Sequence, residues 1–269
     1  MKKISVYIIA YNQIEKIADA IKSVLWADEI VVIDSHSTDG TTELAEKLGA
    51  RVVQVAFRGF GDLRNQAIAA CQHEWIFSLD TDERCTWQAR DEILAIINSD
   101  ANHDIYFVPR KNYFMGRWIQ YGGWYPDYRQ PQLFRRGSLS YAADIVHENY
   151  ICHSQTAIGY LQNFIWQIPF RNLAEMMDKA NRYSSLGLER LEKKHKKPSM
   201  WSALTHMIWT FIKVYGLRRG FLDGWAGVVI AMGHSYGAFY RYAKYYEKKQ
   251  QWQPLSTLVA ESEQGLVEE

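Results

Sequence analysis

The sequence predicts an α/β protein with a mostly parallel central sheet and a helical C-terminal region. Three observations predict it. Short apolar runs alternate with segments of helical period over the first hundred residues, the pattern of βαβ units. Carboxylates close two of those runs, and ligands of such sheets bind at the carboxyl ends of strands. From Leu173 onward the period becomes helical.

The elements follow in order. Ile4 to Ala10 is a continuous apolar run and reads as a buried strand. Ile14, Ile17, Ala18, Ile21 and Val24 recur at helical spacing. Ile30 to Ile33 is a second buried strand, and Thr41 to Leu48 a short helix whose start Asp39, Thr41 and Thr42 can cap. Arg51 to Val55 is a third strand. Leu63, Ala67, Ile68 and Cys71 mark a helix, and Trp75 to Leu79 a fourth strand. Between Ile105 and Tyr150 the helical period weakens and Gly, Pro and aromatics rise, with one further strand at Gln132 to Arg135. Leu173, Met176, Met177, Ala180, Tyr183 and Leu186 then share a helix face. The run Lys193-Lys194-His195-Lys196-Lys197-Pro198 interrupts it, and a second helical stretch runs from about Trp201 to Lys249. The domains expected are 1–170 for the α/β part, 171–253 for the helical region and 254–269 for a loose acidic tail.

Composition narrows the function. The chain has 269 residues, 48% of them hydrophobic, enough for a real core. A net charge of +1 and the lack of a recognised module argue against nucleic acid as a partner. Cys71, Cys85 and Cys152 are odd in number and form no CxxC, so neither a disulfide framework nor a zinc site is expected, and a cytoplasmic compartment is. The start at Met1-Lys2-Lys3-Ile4 lacks the apolar region of a signal peptide. The stretch Gly224 to Tyr240 falls short of the ~20 apolar residues that span a bilayer. Ten Trp and seventeen Tyr are many for a plain core, and both sugar-binding clefts and membrane interfaces use such rings.

Two sets of carboxylates stand where ligands of the sheet would bind. Asp34 closes Val31-Val32-Ile33-Asp34 and can accept hydrogen bonds from a base or ribose; the plain alternative is a turn or capping residue. Asp80-Thr81-Asp82 closes Ile76-Phe77-Ser78-Leu79. Two carboxylates so spaced can hold Mg²⁺ or Mn²⁺ against a diphosphate. A lone DxD is a weak signal, and its place after an apolar strand strengthens it. The turn after the first strand reads Ala10-Tyr11-Asn12-Gln13, with no GxGxxG, and no GxxxxGK[ST] occurs, so dinucleotide and P-loop readings lose their warrant.

The blocks Tyr7-Ile8-Ile9-Ala10-Tyr11-Asn12, Val31 to Thr41, Arg64-Asn65 and Ser78 to Glu83 together resemble glycosyltransferase family 2, whose fold is GT-A. Gly123-Trp124-Tyr125-Pro126-Asp127, Gln132 to Arg136, Val146-His147-Glu148, Lys179 to Ser184 and Gly220 to Gly224 resemble its lipopolysaccharide core β-1,4-glucosyltransferases. The resemblance implies that Tyr11 and Asn12 border a nucleotide, that Asp34 binds uracil or ribose, and that Arg64 approaches the donor phosphates or sugar. It implies that Asp80 faces ribose or sugar and that Asp82 ligates a divalent cation, Mg²⁺ or Mn²⁺. Family members use a carboxylate base on the acceptor side. The usual Glu-Asp pair is missing here; His147-Glu148 stands in its place, with Glu148 as first and Asp127 as second candidate for the base, and His147 as a candidate metal contact. Relatives often carry His near Trp166-Gln167, where this chain has Gln167.

The resulting expectation is inverting transfer of a hexose, with glucose from UDP-glucose the first choice. The acceptor expected is a lipid-linked saccharide, an inner-core heptose of lipopolysaccharide. Other acceptors (capsule, polyprenyl-linked glycan, protein) and a non-catalytic nucleotide-sugar binder are the alternatives. The run Lys193 to Lys197 lies near Trp201, Trp209, Phe211, Tyr215, Trp225, Tyr240, Tyr242 and Tyr245. Basic residues beside interfacial aromatics fit peripheral attachment to an anionic membrane surface, here the inner face of the inner membrane. The plain alternative is that these rings pack the helices onto the first domain.

Overall fold

In the computed structural model, residues 2–99, 102–142, 149–155, 157–193 and 199–249 are described. The chain runs β1 (Ile4–Ala10), α1 (Ile14–Lys22), β2 (Glu29–Asp34), α2 (Thr41–Lys47), β3 (Arg51–Gln54), α3 (Phe60–Ala70), β4 (Trp75–Asp80), β5 (Glu83–Cys85) and α4 (Trp87–Asn98). It continues through short strands: β6 (Ile105–Phe107), β7 (Arg110–Phe114), β8 (Arg117–Ile119), β9 (Leu133–Arg135), β10 (Leu139–Tyr141), β11 (Tyr150–Cys152), β12 (Gly159–Tyr160) and β13 (Ile165–Gln167). Helices α5 (Leu173–Lys193), α6 (Met200–Phe211) and α7 (Trp225–Lys249) follow.

The main sheet has the order β12-β6-β9-β4-β1-β2-β3. β1 is parallel to both β2 and β4, and β2 to β3, whereas β9 lies antiparallel between β4 and β6. Helices cover both faces, which is why β1 reads as a continuous apolar run. Ile4, Val6 and Ile8 pack with Ile17, Ile21, Phe77 and Ile93 on one face; Tyr7 packs with Leu63, Ala67, Ile76 and Phe134 on the other. A smaller sheet, β5-β13-β7-β8, stands beside the main one. Phe114 and Ile119 of that small sheet pack on Met176, Val214, Ile230 and Ala231, joining the helical region to the rest.

Between Ile105 and Tyr141 five strands stand where one was expected, and three further details depart from expectation. Helix α4 adds an element where none was expected: Gln88, Arg90, Asp91 and Glu92 interrupt its inward face of Ala89, Ile93 and Ile97, and Thr86 caps its start by accepting from Ala89 N. Asp39 and Thr41 do not cap α2 alone. The Asp39 carboxylate accepts from both Thr41 N and Ile14 N, and the Thr41 hydroxyl accepts from Gln13 N, so they also hold the start of α1. The N-cap of α2 is Gly40, at φ 91, a left-handed conformation that favours glycine. The stretch from Trp201 to Lys249 is not one helix. It breaks at a π-helical turn, Ile212–Leu217, and a 3₁₀ turn, Gly220–Asp223. A Cβ on Gly227 would sit 1.8 Å from Gly220 O, so the 3₁₀ turn folds back directly onto α7. The buried Asp223 carboxylate accepts from Gln120 N and Tyr121 N, which fixes the loop after β8 against this break.

Candidate active site

Parallel pairing brings three strand ends to one edge. Ala10 of β1 lies opposite Asp34 of β2, and Ile9 opposite Asp80 of β4. The loop after β1 is then tied to the loop after β2. Asn12, at φ 51, donates its N–H to Ser37 Oγ and accepts from Thr38 N. Asp34 is fully buried and accepts from Ser37 N, the Ser37 hydroxyl and the Thr42 hydroxyl. Its carboxylate thus braces the loop, as the turn-residue alternative describes. Tyr11 projects outward and is 60% exposed.

The buried Arg64 donates to Ser78 Oγ at 3.1 Å and to Asp80 Oδ1 at 3.0 Å. Burial works against the charge on Asp80, but Arg64 and Arg110 outweigh it and hold the carboxyl below its ordinary range. Arg64 therefore reaches the strand end already paired to Asp80. Asp82 has the opposite bias: burial, and then the neighbouring Asp80 charge, push its carboxyl up. Gln167 of β13 donates a long hydrogen bond to Asp82 Oδ2 at 3.4 Å, while its own Oε1 is buried without a partner.

These groups fit a divalent cation. Asp82 is a hard oxygen ligand whose charge wants compensation, and the neighbouring Gln167, whose Nε2 faces it, carries an orphaned buried side-chain oxygen. Among the described residues no three His, Cys, Asp or Glu converge on one point. A cation here would share its coordination with substrate phosphates and water, as Mg²⁺ commonly does. Of the residues expected in the site, His147 and Glu148 lie outside the described residues.

Behind the two aspartates sits a polar network. The fully buried Glu83 accepts from Arg110 Nε at 2.5 Å, and from Asp80 N and Gln132 Nε2, each at 2.9 Å. Burial pushes the Glu83 carboxyl up to about 7; the Arg110 charge opposes this, and Asp80 and Asp82 add to it. Arg110 also donates to Asp127 O at 2.8 Å. Glu83 and Arg110 thus join the aspartates at the end of β4 to the loop that carries Asp127. The Asp127 carboxylate pairs with Arg129 at 2.7 Å.

Asp127 and Arg129 open onto a cleft of about 600 Å³ between the small sheet and the helices. Trp124, Phe170, Met176 and Tyr183 supply apolar wall, and Lys179, Lys213, Arg218 and Arg241 supply charge. Desolvation lowers the Lys179 ammonium below its usual range, with Asp82 the first charge opposing it. Lys179 thus stands between Asp82 and the cleft.

Sequence reasoning assigned no role to Glu83, Arg110, Arg129 or Lys179. Glu83 directly follows Asp82, so its position was a signal. Arg110 had none, since β7 reaches β5 only through β13.

The aromatic residues of the helical region divide between the two roles considered for them. Tyr242 and Tyr245 are buried, and Phe211 and Tyr215 pack against the cluster around Val214. Trp201 and Trp225 are 77% and 71% exposed, together with Trp209, Ile212, Leu217, Phe221 and Leu222. Residues 194–198 of the basic run, and the tail 254–269, lie outside the described residues. Among the described residues no helix is long and apolar enough to cross a membrane.

The sequence model for glycosyl transferase family 2 matches residues 5–154. An uncharacterized glycosyltransferase of Rickettsia prowazekii (strain Madrid E) is 33% identical over 91% of this chain and 87% of its own length. The lipopolysaccharide core biosynthesis glycosyltransferase LpsC of Rhizobium meliloti (strain 1021) is 26% identical over 91% of this chain and 92% of its own. Among solved structures, glucosyl-3-phosphoglycerate synthase from Mycobacterium tuberculosis, in complex with Mn²⁺, uridine diphosphate and glucosyl-3-phosphoglycerate, aligns with a TM-score of 0.35 at 26% identity. That alignment covers 43% of this chain and 45% of that one.

Proposed function

The chain belongs to glycosyltransferase family 2, and from that premise we propose that it is an inverting, metal-dependent hexosyltransferase using UDP-glucose as donor. The acceptor in this reading is a lipid-linked saccharide, an inner-core heptose of lipopolysaccharide. LpsC, a relative over most of the chain, is named for lipopolysaccharide core biosynthesis, which favours this acceptor over capsule or protein. The observation that carries the donor assignment is the placement of Asp80 and Asp82 beside the loops after β1 and β2, backed by the buried Arg64.

In this proposal Tyr11 and Asn12 border the base, and the loop braced by Asp34 holds the ribose. Asp82 and Gln167 Oε1 would hold Mg²⁺ or Mn²⁺, which supplies charge neutralisation for the departing diphosphate. Arg64 keeps Asp80 ionised and fixed, so the aspartate needs no reorganisation when the donor binds. Lys179 adds a second positive group facing the leaving side. The acceptor hydroxyl enters from the cleft and loses its proton to a carboxylate, Glu148 or Asp127, while its oxygen attacks the anomeric carbon from the face opposite UDP. A single displacement inverts that centre.

The exposed Trp201, Trp209, Trp225, Phe221 and Leu222, close in sequence to Arg218 and Arg219, favour peripheral adsorption to an anionic leaflet at the inner face of the inner membrane. A lipid-linked acceptor would be met there.

The test is a panel of nucleotide sugars titrated with and without Mn²⁺, followed by slow hydrolysis of those that bind. UDP-glucose should bind only with the cation present and should hydrolyse. Loss of any metal-dependent nucleotide binding would sink the donor assignment; binding with no turnover toward any acceptor would favour the non-catalytic alternative.

A further inference from the structure

The cleft beside Asp127 carries a charge imbalance that transfer of a neutral sugar to a neutral hydroxyl does not require. Five cations line it: Arg129, Lys179, Lys213, Arg218 and Arg241. Among the described residues Asp127 is its one acidic residue, and Asp127 is already paired with Arg129. Among the residues whose side chains are described, no carboxylate lies within ion-pair distance of Lys179, Lys213, Arg218 or Arg241, although salt bridges are common elsewhere on this chain.

These cations come from different elements. Arg129 is on the loop after β8, Lys179 on α5, Lys213 and Arg218 at the π-helical turn, and Arg241 on α7. Their convergence is therefore a property of the tertiary fold and not of one charged helix face. The π-helical turn that interrupts the chain after α6 carries Lys213 into the cleft, and such turns are frequent at functional sites. A concave wall of low dielectric concentrates the field of charges on its rim, which favours an entering anion. The His234 imidazole, which also lines the cleft, is held below its usual range by desolvation and then by the Arg218 charge.

We propose that this cleft binds an oxyanion carried by the acceptor saccharide, a phosphate ester or a sugar carboxylate, through Lys213, Arg218 and Arg241. The inference rests on the transferase reading and deepens it by naming the chemical class of the acceptor. The foremost cations acting on Asp82 are Lys179, Lys16 and Arg129. Lys213 and Arg241 are thereby distinguished from the group that serves the donor. Trp124, Phe170 and Tyr183 give the same cleft the flat apolar surfaces on which a sugar ring can lie.

The experiment uses the full chain, saturated with UDP and Mn²⁺ so that the donor site is filled. D-glucose 6-phosphate, D-glucuronate and methyl α-D-glucopyranoside are titrated separately, with Trp fluorescence or calorimetry as readout. At least one charged sugar should bind about tenfold or more tightly than the neutral glycoside, the scale of one or two charge-assisted hydrogen bonds. The phosphate and carboxylate arms identify which anion is preferred. The double substitution Lys213→Ala with Arg241→Gln should abolish that preference and leave UDP affinity within about twofold; UDP binding then also reports that the variant is folded. Each single substitution should give an intermediate loss. Equal binding of charged and neutral sugars overturns the inference, as does a preference that survives the double substitution. Failure of the wild type to bind UDP is a different result and strikes the transferase reading itself.

Discussion

Asp82 carries a carboxylate that the fold itself disfavours, since burial and Asp80 both push it toward its neutral form. A carboxyl raised in the folded state loses stability as pH climbs through its ordinary range. Asp82→Asn removes that cost, so at pH 7.5 without metal its melting temperature should equal or exceed that of the wild type. Transfer should nonetheless fall at least about 100-fold, the scale on which loss of one group stabilising a leaving charge is felt. Full activity in this variant would end the metal assignment. Gln167 supports a second test. Gln167→His places a stronger ligand at the same point and should lower the Mn²⁺ concentration for half-maximal activity, measured by cation titration. The base is decided by a pair of variants, Glu148→Gln and Asp127→Asn, at saturating acceptor: the one that stops turnover while UDP affinity holds marks the base. At this scale the strand-end placement of Asp34 and Asp80 was legible, because a carboxylate closing an apolar run stands out. Arg110 was not legible as a partner of Glu83, and Gln167 stood out only through the family resemblance and not from local pattern. Both reach their partners only through the pairing of β13 with β5 and β7, which leaves no trace in local sequence.

Between elements, two contacts hold the site together, and each can be removed. Lys16 of α1 pairs with Glu175 of α5 at 2.6 Å, with both side chains largely covered, and Arg171 adds a second donor to Glu175. Burial opposes the Glu175 charge, but these partners overcome it and lower its pKa to about 2. A carboxyl depressed in the folded state contributes fully above its unfolded value near 4.5 and loses that contribution as pH falls toward 2. Glu175→Gln should therefore cost about 1–2 kcal/mol at pH 6 and much less at pH 3, read as the gap between paired melting curves. Glu83→Ala is harsher. It leaves the Arg110 guanidinium buried and unpaired and should cost about 3–5 kcal/mol in denaturant unfolding. The regular elements were legible wherever both faces of a strand, or one face of a helix, are apolar. The break between α6 and α7 was only partly legible: Gly216, Gly220 and Gly224 are breaker residues, but the apolar residues on either side keep a helical look, and the close packing of Gly227 on Gly220 is a tertiary feature.

For the whole molecule, the joining of the helical region to the α/β part decides behaviour at surfaces. Trp201 and Trp225 stand outside the packed helices while Tyr242 and Tyr245 stay within. The protein should sediment with anionic vesicles at low salt and partly leave them at high salt, as the screening length shortens. Replacing Trp201 and Trp225 by Ser should weaken the salt-resistant part at least about tenfold. Indifference to lipid charge, salt and both tryptophans would remove the membrane reading. The general class of the molecule was legible early, from strands alternating with helices. Its cleft was not, because its wall is shared by segments from both halves of the chain. The antiparallel seat of β9 has a consequence in time. Trp75 pairs with Arg135, so the β4 edge that leads to Asp80 stays open until β9 has been synthesised. At ordinary elongation rates that interval is on the order of several seconds, long compared with hydrophobic collapse. During it the emerging chain presents Trp75, Phe77 and Leu79 on an unfinished sheet.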